Sequence, residues 1–163
     1  MAALTADVHI PHLGPSPDKL SFPATGADTF FAGALVWLDI SNNTGQVQVA
    51  SIADGDIIAG ICAKQVTTTA AGDLVELYIN GTWALAVGSM VATDIGSAVV
   101  SDISGTITDN EADLVAAVDI TIGAGDVLVG LSKAINTEET TRIWTELNLG
   151  WRYSATLGWV EPI

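Results

Sequence analysis

Hydrophobic and polar positions alternate in three stretches of this chain: Gln46-Val47-Gln48-Val49, Trp83-Ala84-Leu85-Ala86-Val87, and Arg142 to Tyr153, where Ile143, Thr145, Leu147, Leu149, Trp151 and Tyr153 share one face. A period of two is that of a β-strand with one side buried. Ala34-Leu35-Val36-Trp37-Leu38 and Leu74 to Ile79 are instead apolar on both faces, as a strand is when it is sandwiched or docked against a partner. One short helix is predicted, Asp109 to Val118, with Asp109 or Asn110 placed to cap it. Fifteen Val, fifteen Ile and seventeen Thr favour strands elsewhere, because side chains branched at Cβ fit a pleated surface better than a helical turn. The expected fold class is all-β, a single compact β-barrel or β-sandwich.

Turn residues separate these strands in an order that recurs. Gly33-Ala34-Leu35-Val36-Trp37-Leu38-Asp39-Ile40-Ser41 runs through Asn42-Asn43-Thr44-Gly45 to a return strand, then to Asp54-Gly55-Asp56 and an apolar strand containing Gly60. Gly96-Ser97-Ala98-Val99-Val100-Ser101-Asp102-Ile103-Ser104-Gly105 leads in the same way to Ala124-Gly125-Asp126 and an apolar strand containing Gly130. Ala71-Gly72-Asp73 has the corner alone. This grammar predicts an internal repeat, in which Asp bonds nearby backbone and Gly takes positive φ. A glycine inside a strand, as at Gly60 and Gly130, predicts a bulge or the close approach of another backbone. Turns are expected at Asn42 to Gly45, at Ser104-Gly105 and at Asn80-Gly81, the last as a tight hairpin joining Leu74 to Asn80 with Thr82 to Val87.

Four of the five prolines, Pro11, Pro15, Pro17 and Pro23, fall within thirteen residues. Each fixes φ and lacks an N–H donor, so this segment cannot be a central strand. Residues 1–28 read as an extended Pro-rich N-terminal arm and residues 29–163 as one all-β domain. The arm's apolar residues, Val8, Ile10, Leu13, Leu20 and Phe22, have no evident place in a repeat that supplies its own core, which makes them candidates for attachment to a partner.

Charge narrows the partners. Nineteen Asp and Glu against five Lys and Arg give a net charge of −14, a field that repels phosphate backbones and anionic lipid, so neither nucleic acid nor a membrane is an expected partner. Charged residues make up only 15% of the chain, below the roughly 25% of ordinary soluble domains, so part of the surface is expected to be covered by protein. The first ten residues lack a basic segment followed by an apolar run, and no apolar stretch approaches the roughly 18 residues that cross a bilayer. The expectation is a soluble chain that is not exported.

Candidate chemistry is sparse. Pro11 within His9-Ile10-Pro11-His12 prevents the helical spacing that aims two imidazoles at one metal. Asp54-Gly55-Asp56 opens like a calcium loop, but Ile57 and Ile58 follow where oxygen ligands are needed. Gly123-Ala124-Gly125 precedes an apolar strand rather than the helix that would hold a pyrophosphate. The single cysteine, Cys62, sits in an apolar run without a neighbouring base, and no serine lies in a nucleophile elbow. The chain is therefore expected not to be an enzyme, and to need no metal or cofactor. Trp144, Trp151 and Trp159 gather with Arg152 and Tyr153 in the last twenty residues, and aromatic residues with Arg are enriched at the centres of interfaces. Trp151, Trp159 and Tyr153 could instead be stacking platforms of a carbohydrate-binding β-module, the alternative function.

Four segments, Phe31-Ala32-Gly33-Ala34-Leu35-Val36-Trp37-Leu38, Ile57-Ile58-Ala59-Gly60-Ile61-Cys62, Ala71-Gly72-Asp73-Leu74-Val75-Glu76-Leu77 and Val127-Leu128-Val129-Gly130-Leu131-Ser132, give the chain a further character. Across roughly residues 22 to 134 it resembles the small β-rich capsid decoration (cement, or head-stabilisation) proteins of tailed bacteriophages. The resemblance implies a homotrimer on the exterior of the virion capsid, made in the host cytoplasm, that bridges major capsid proteins and stabilises the head. The interface with capsid or sister subunits would then use Val8, Ile10, Leu13, Leu20, Phe22, Trp144, Trp151, Arg152, Tyr153 and Trp159. The Pro-rich arm and the segment after Thr140 lie outside the resemblance.

Overall fold

The computed structural model describes residues 6–40, 44–49, 57–87, 98–101, 117–119, 127–135, 142–149, 152–154 and 158–160. The strands of the first half are β1 (His12–Leu13), β2 (Lys19–Pro23), β3 (Thr29–Phe30), β4 (Leu35–Asp39), β5 (Gln46–Gln48), β6 (Ile57–Cys62), β7 (Val66–Thr67) and β8 (Leu74–Tyr78). Then follow β9 (Thr82–Val87), β10 (Ala98–Ser101), β11 (Ala117–Asp119), β12 (Leu128–Ile135), β13 (Arg142–Leu147), β14 (Arg152–Ser154) and β15 (Gly158–Val160). No helix occurs among the described residues, and the fold is all-β. The strands form several largely antiparallel sheets rather than one closed barrel.

β4 and β6 lie inside a five-stranded sheet of order β2-β8-β6-β4-β5. Their side chains feed two cores. On one face Leu35, Trp37, Ile58 and Ile61 meet Trp83, Leu85, Val129 and Ile143 from a six-stranded sheet of order β1-β9-β11-β10-β12-β13. On the other, Val36, Ala59, Cys62, Val75 and Leu77 pack with Ala24 and Phe30, and Phe31 and Val66 lie against them. Phe30 and Val66 are paired residues of the small β3–β7 ribbon. The two-face apolar pattern of Ala34 to Leu38 is thus covered on both faces within the chain. Each large aliphatic side chain buried contributes roughly 1.5 to 3 kcal/mol, so leaving either face wet would forfeit much of a domain's net stability.

Register explains two glycines. Leu35 lies opposite Ile61 and Val36 opposite Gly60, after which the register shifts and Trp37 faces Ile58. A Cβ on Gly60 would collide with the Tyr78 carbonyl of β8. In the other sheet Ala98 lies opposite Leu131 and Val99 opposite Gly130, then the register shifts and Val100 faces Leu128. A Cβ on Gly130 would collide with the Glu146 carbonyl of β13. Both glycines therefore have the bulge beside them and the close backbone that an interior glycine predicts.

Elsewhere the fold departs from expectation. Asn80-Gly81 is a turn, with Gly81 at a φ of 104°, but β8 and β9 do not pair as a hairpin: β8 bonds to β2 and β6, and β9 to β1, β11 and β13. The edges a hairpin would use are already taken. Of the predicted helix, Ala117 and Val118 are strand, β11, and its other residues lie outside the described ones. The alternation from Arg142 holds through Ile143, Thr145 and Leu147, all buried, but the strand stops at Leu147 and Arg152–Ser154 is a separate strand. The turns at Asn42-Asn43, Ser104-Gly105, Asp54 to Asp56 and Gly125-Asp126 lie outside the described residues. At the third Gly-Asp corner Gly72 has a φ of 95°, and one carboxylate oxygen of Asp73 accepts from Thr69 N (2.7 Å), Thr69 Oγ1 (3.1 Å) and Ala70 N (3.1 Å).

Gly60→Ala and Gly130→Ala should each cost roughly 1 to 3 kcal/mol or more, as overpacking against backbone does, with lower urea midpoints, whereas Gly26→Ala, which meets open space, should change stability little. Those backbone bonds from Thr69 and Ala70 also hold the Asp73 carboxyl below its ordinary value. A group with a depressed folded pKa stabilises the fold above its unfolded pKa and loses that contribution as pH falls through the folded one. Asp73→Asn should accordingly flatten the loss of thermal stability below about pH 4.

Candidate functional site

The N-terminal segment does not stand off as a free arm. β1 pairs antiparallel with β9, β2 pairs along β8, and Ala24 bridges Val47. The prolines act as expected of them, keeping the chain extended and at sheet edges. The five candidate attachment residues divide accordingly. Ile10 is buried in the main core with Val8 packed on it, and Phe22 packs against the second core, so these three hold the fold together. Leu13 and Leu20 are exposed.

Between this segment and the two sheets lies a cleft of about 640 Å³, whose walls include His9, His12, Lys19, Cys62, Tyr78 and Trp83. The Trp83 ring centroid lies 5.2 Å from that of His12 and 4.8 Å from that of Tyr78, both pairs tilted. Lys19 Nζ sits 5.0 Å from the centre of the Tyr78 ring and 3.2 Å from Glu76 Oε2. The Glu76 hydrogen bond, together with the charge of Tyr78, raises the Lys19 pKa above its ordinary value. Both histidines and a lysine thus meet in one place on a chain of net charge −14.

The polar groups around the cleft are tied into the scaffold. His12 Nε2 donates to the Pro15 carbonyl (2.9 Å) within the N-terminal segment, and Arg142 Nη1 donates to the His9 carbonyl (3.2 Å), pinning that segment to β13. Asn80 Nδ2 donates to Asp18 Oδ2 (2.6 Å) while Asp18 N donates to Asn80 Oδ1 (2.8 Å), and Trp83 Nε1 donates to the Asn80 carbonyl (3.0 Å). Burial pushes the Cys62 thiol up to about 11, and its Sγ donates to the Lys64 carbonyl. That is the behaviour of a small buried hydrophobe, as the apolar run around Cys62 predicts. Among the described residues no group of three His, Cys, Asp or Glu is placed to hold a metal ion.

Of the C-terminal candidates, Trp144 is half-buried in β13. Arg152 and Tyr153 lie in β14 and Trp159 in β15, where Tyr153 stands opposite Trp159 in register, and Trp151 lies outside the described residues. The aromatic cluster the structure does define, His12 with Tyr78 and Trp83, goes unmarked in the sequence because its members are far apart along the chain. The Asn80-Gly81 turn was the available signal: it sets Trp83 three residues after the carbonyl that its indole binds. No family model, no curated protein and no solved structure matches this chain. Among the described residues no helix is long and apolar enough to cross a membrane.

Deleting residues 1–28 removes two sheet strands and the buried Ile10 and Ala24. The truncated chain should fail to give the cooperative thermal transition of the full protein. The Cys62 thiol should react with an aromatic disulfide at pH 8 at least about a hundredfold more slowly in the folded protein than in urea, since its thiolate is scarcer by about that factor.

Proposed function

We propose that this chain is a structural capsid decoration protein, not an enzyme, that binds the exterior of an assembled phage head as a homotrimer, bridges major capsid proteins and stabilises the shell. The observation that carries this reading is that the side chains able to do chemistry are used as fasteners: His12, Asp18, Cys62, Asp73 and Asn80 each bond to a turn or to the N-terminal segment. The four segments behind the family resemblance also fall on β4, β6, β8 and β12, the strands around which both sheets are built. The trimer number comes from the resemblance alone. The carbohydrate-binding alternative, which would use Trp151, Trp159 and Tyr153, receives less support, because the sequence around them offers aromatics but no clear polar constellation to orient a sugar.

The pairing supports an internal duplication, with a first unit of β2, β4, β5, β6 and β8 and a second of β9, β10, β11, β12 and β13. Lys19 opposite Tyr78 corresponds to Thr82 opposite Glu146, and Leu20 opposite Leu77 to Trp83 opposite Thr145. Val36 opposite Gly60 corresponds to Val99 opposite Gly130. Ile61 opposite Tyr78 corresponds to Leu131 opposite Glu146. Even the parallel contact recurs, as Ala24 beside Val47 and Val87 beside Val118.

Purified protein mixed with assembled phage heads stripped of their own decoration protein should co-sediment to a saturating ratio and raise the temperature at which the heads open. Heads that neither bind the chain nor gain stability would refute the capsid reading.

A further inference from the structure

The two units differ in what lies along the outer edge of their first strands. In the second unit β13 runs along one side of β9 and β1 lies along the other, with His12 opposite Trp83, Leu13 opposite Thr82, and Ala84 N donating to the Pro11 carbonyl at 2.9 Å. In the first unit β8 runs along β2, where Ile79 N donates to the Asp18 carbonyl (3.1 Å) and Ala24 N to the Asp73 carbonyl (2.8 Å). Antiparallel pairing alternates, so Lys19 and Ser21 turn their N–H and C=O groups to the opposite side. Among the described residues no strand pairs with β2 there, and Lys19, Leu20 and Ser21 are all exposed. Ser21 N is the counterpart of Ala84 N, and Leu20, 51% exposed, is the counterpart of Trp83, 5% exposed. Among the described residues the first unit lacks the strand that β1 supplies to the second.

β14 and β15 present the opposite deficiency. They pair only with each other among the described strands, and a lone two-stranded hairpin is marginal in water. The open length of β2, from Lys19 to Ser21, ends at Pro23, which has no N–H to offer, and β14 and β15 are each three residues long. β14 contains Arg152, of the same sign as Lys19, whereas β15, Gly158–Val160, is uncharged and followed by Glu161.

We propose that β15 of a second copy of this chain adds antiparallel to the open edge of β2, with Trp159 of one copy opposite Leu20 of the other. The contact is head-to-tail, so copies either close a ring or exchange hairpins in pairs. Backbone hydrogen bonds supply the adhesion, and burial of Leu20 supplies the apolar contact that His12 and Ile10 provide at the other unit. This inference rests on the self-association in the proposed function and names the contact that makes it.

Light scattering after size exclusion at micromolar concentration tests it, with circular dichroism as the check on folding. Wild type and Ser21→Ala, which keeps the N–H, should be oligomers. Ser21→Pro and Leu20→Lys should retain the strand spectrum but associate at least tenfold more weakly. If Ser21→Pro does not fold, Leu20→Lys decides, since that side chain is already exposed. To identify the occupant, Leu20→Cys and Trp159→Cys proteins are mixed and oxidised, the buried Cys62 staying inert. Mixed disulfide dimers should outnumber either homodimer. A monomeric wild type, an undiminished Leu20→Lys oligomer, or an absence of mixed disulfide would each overturn the contact. A monomer that still decorates heads would sink this contact and leave capsid binding standing, and an oligomer sensitive to Leu20→Lys that binds no head would do the reverse.

Discussion

The central strands β4 and β6 have no side that can face water, and the rest of the molecule is arranged around that constraint. Leu35, Trp37, Ile58 and Ile61 require a cover on one face, and Val36, Ala59 and Cys62 require one on the other. The six-stranded sheet answers the first demand. The β3–β7 ribbon and the end of β2 answer the second, which is why the N-terminal segment is drawn into the fold and not released from it. A segment rich in proline suits this position, because a sheet edge asks for hydrogen bonds on one side only.

Close packing on both sides leaves little room between neighbouring strands. Where β6 passes β8 and where β12 passes β13, the backbone carbonyls come so near that only glycine fits, and beside each glycine the register shifts by a bulge. Gly60 and Gly130 thus meet the same packing problem in two places, as the proposed duplication would have them do.

The electrostatics follow from the same economy of surface. With both faces of the inner sheet covered, Asp73 and Asp18 lie in connections between strands, where they take backbone or amide donors, while Asp39 is buried in β4. Two of the five basic groups are placed where the N-terminal segment crosses the sheets: Lys19 reaches Glu76 and the Tyr78 ring, and Arg142 reaches the His9 carbonyl. In a molecule so acidic these contacts bind the crossing segment to the body, and they lie at the surface, so salt should weaken them.

Local chemistry was enough to read the strand class, the glycine sites and the burial of Cys62 from the sequence, because each depends on residues adjacent along the chain. Alternation identifies a strand, and a glycine interrupting it identifies a crowded backbone. The Gly72-Asp73 corner was legible for the same reason: its bonds span only four residues. What tertiary structure alone decided was which edge each strand offered to which neighbour. Asn80-Gly81 has the composition of a hairpin turn, yet β8 and β9 part because their edges are filled by β2, β6 and β13. Val8, Ile10 and Phe22 looked like surplus apolar residues, yet Ile10 became core and the other two packed against the cores, because strands far away in sequence brought those cores beside them. The aromatic cleft likewise joins His12, Tyr78 and Trp83 from three separate strands or strand edges. Hydrogen bonding along a strand edge does not depend on side-chain identity, so a sequence announces its strands but not their partners; those are settled by which faces must be buried together.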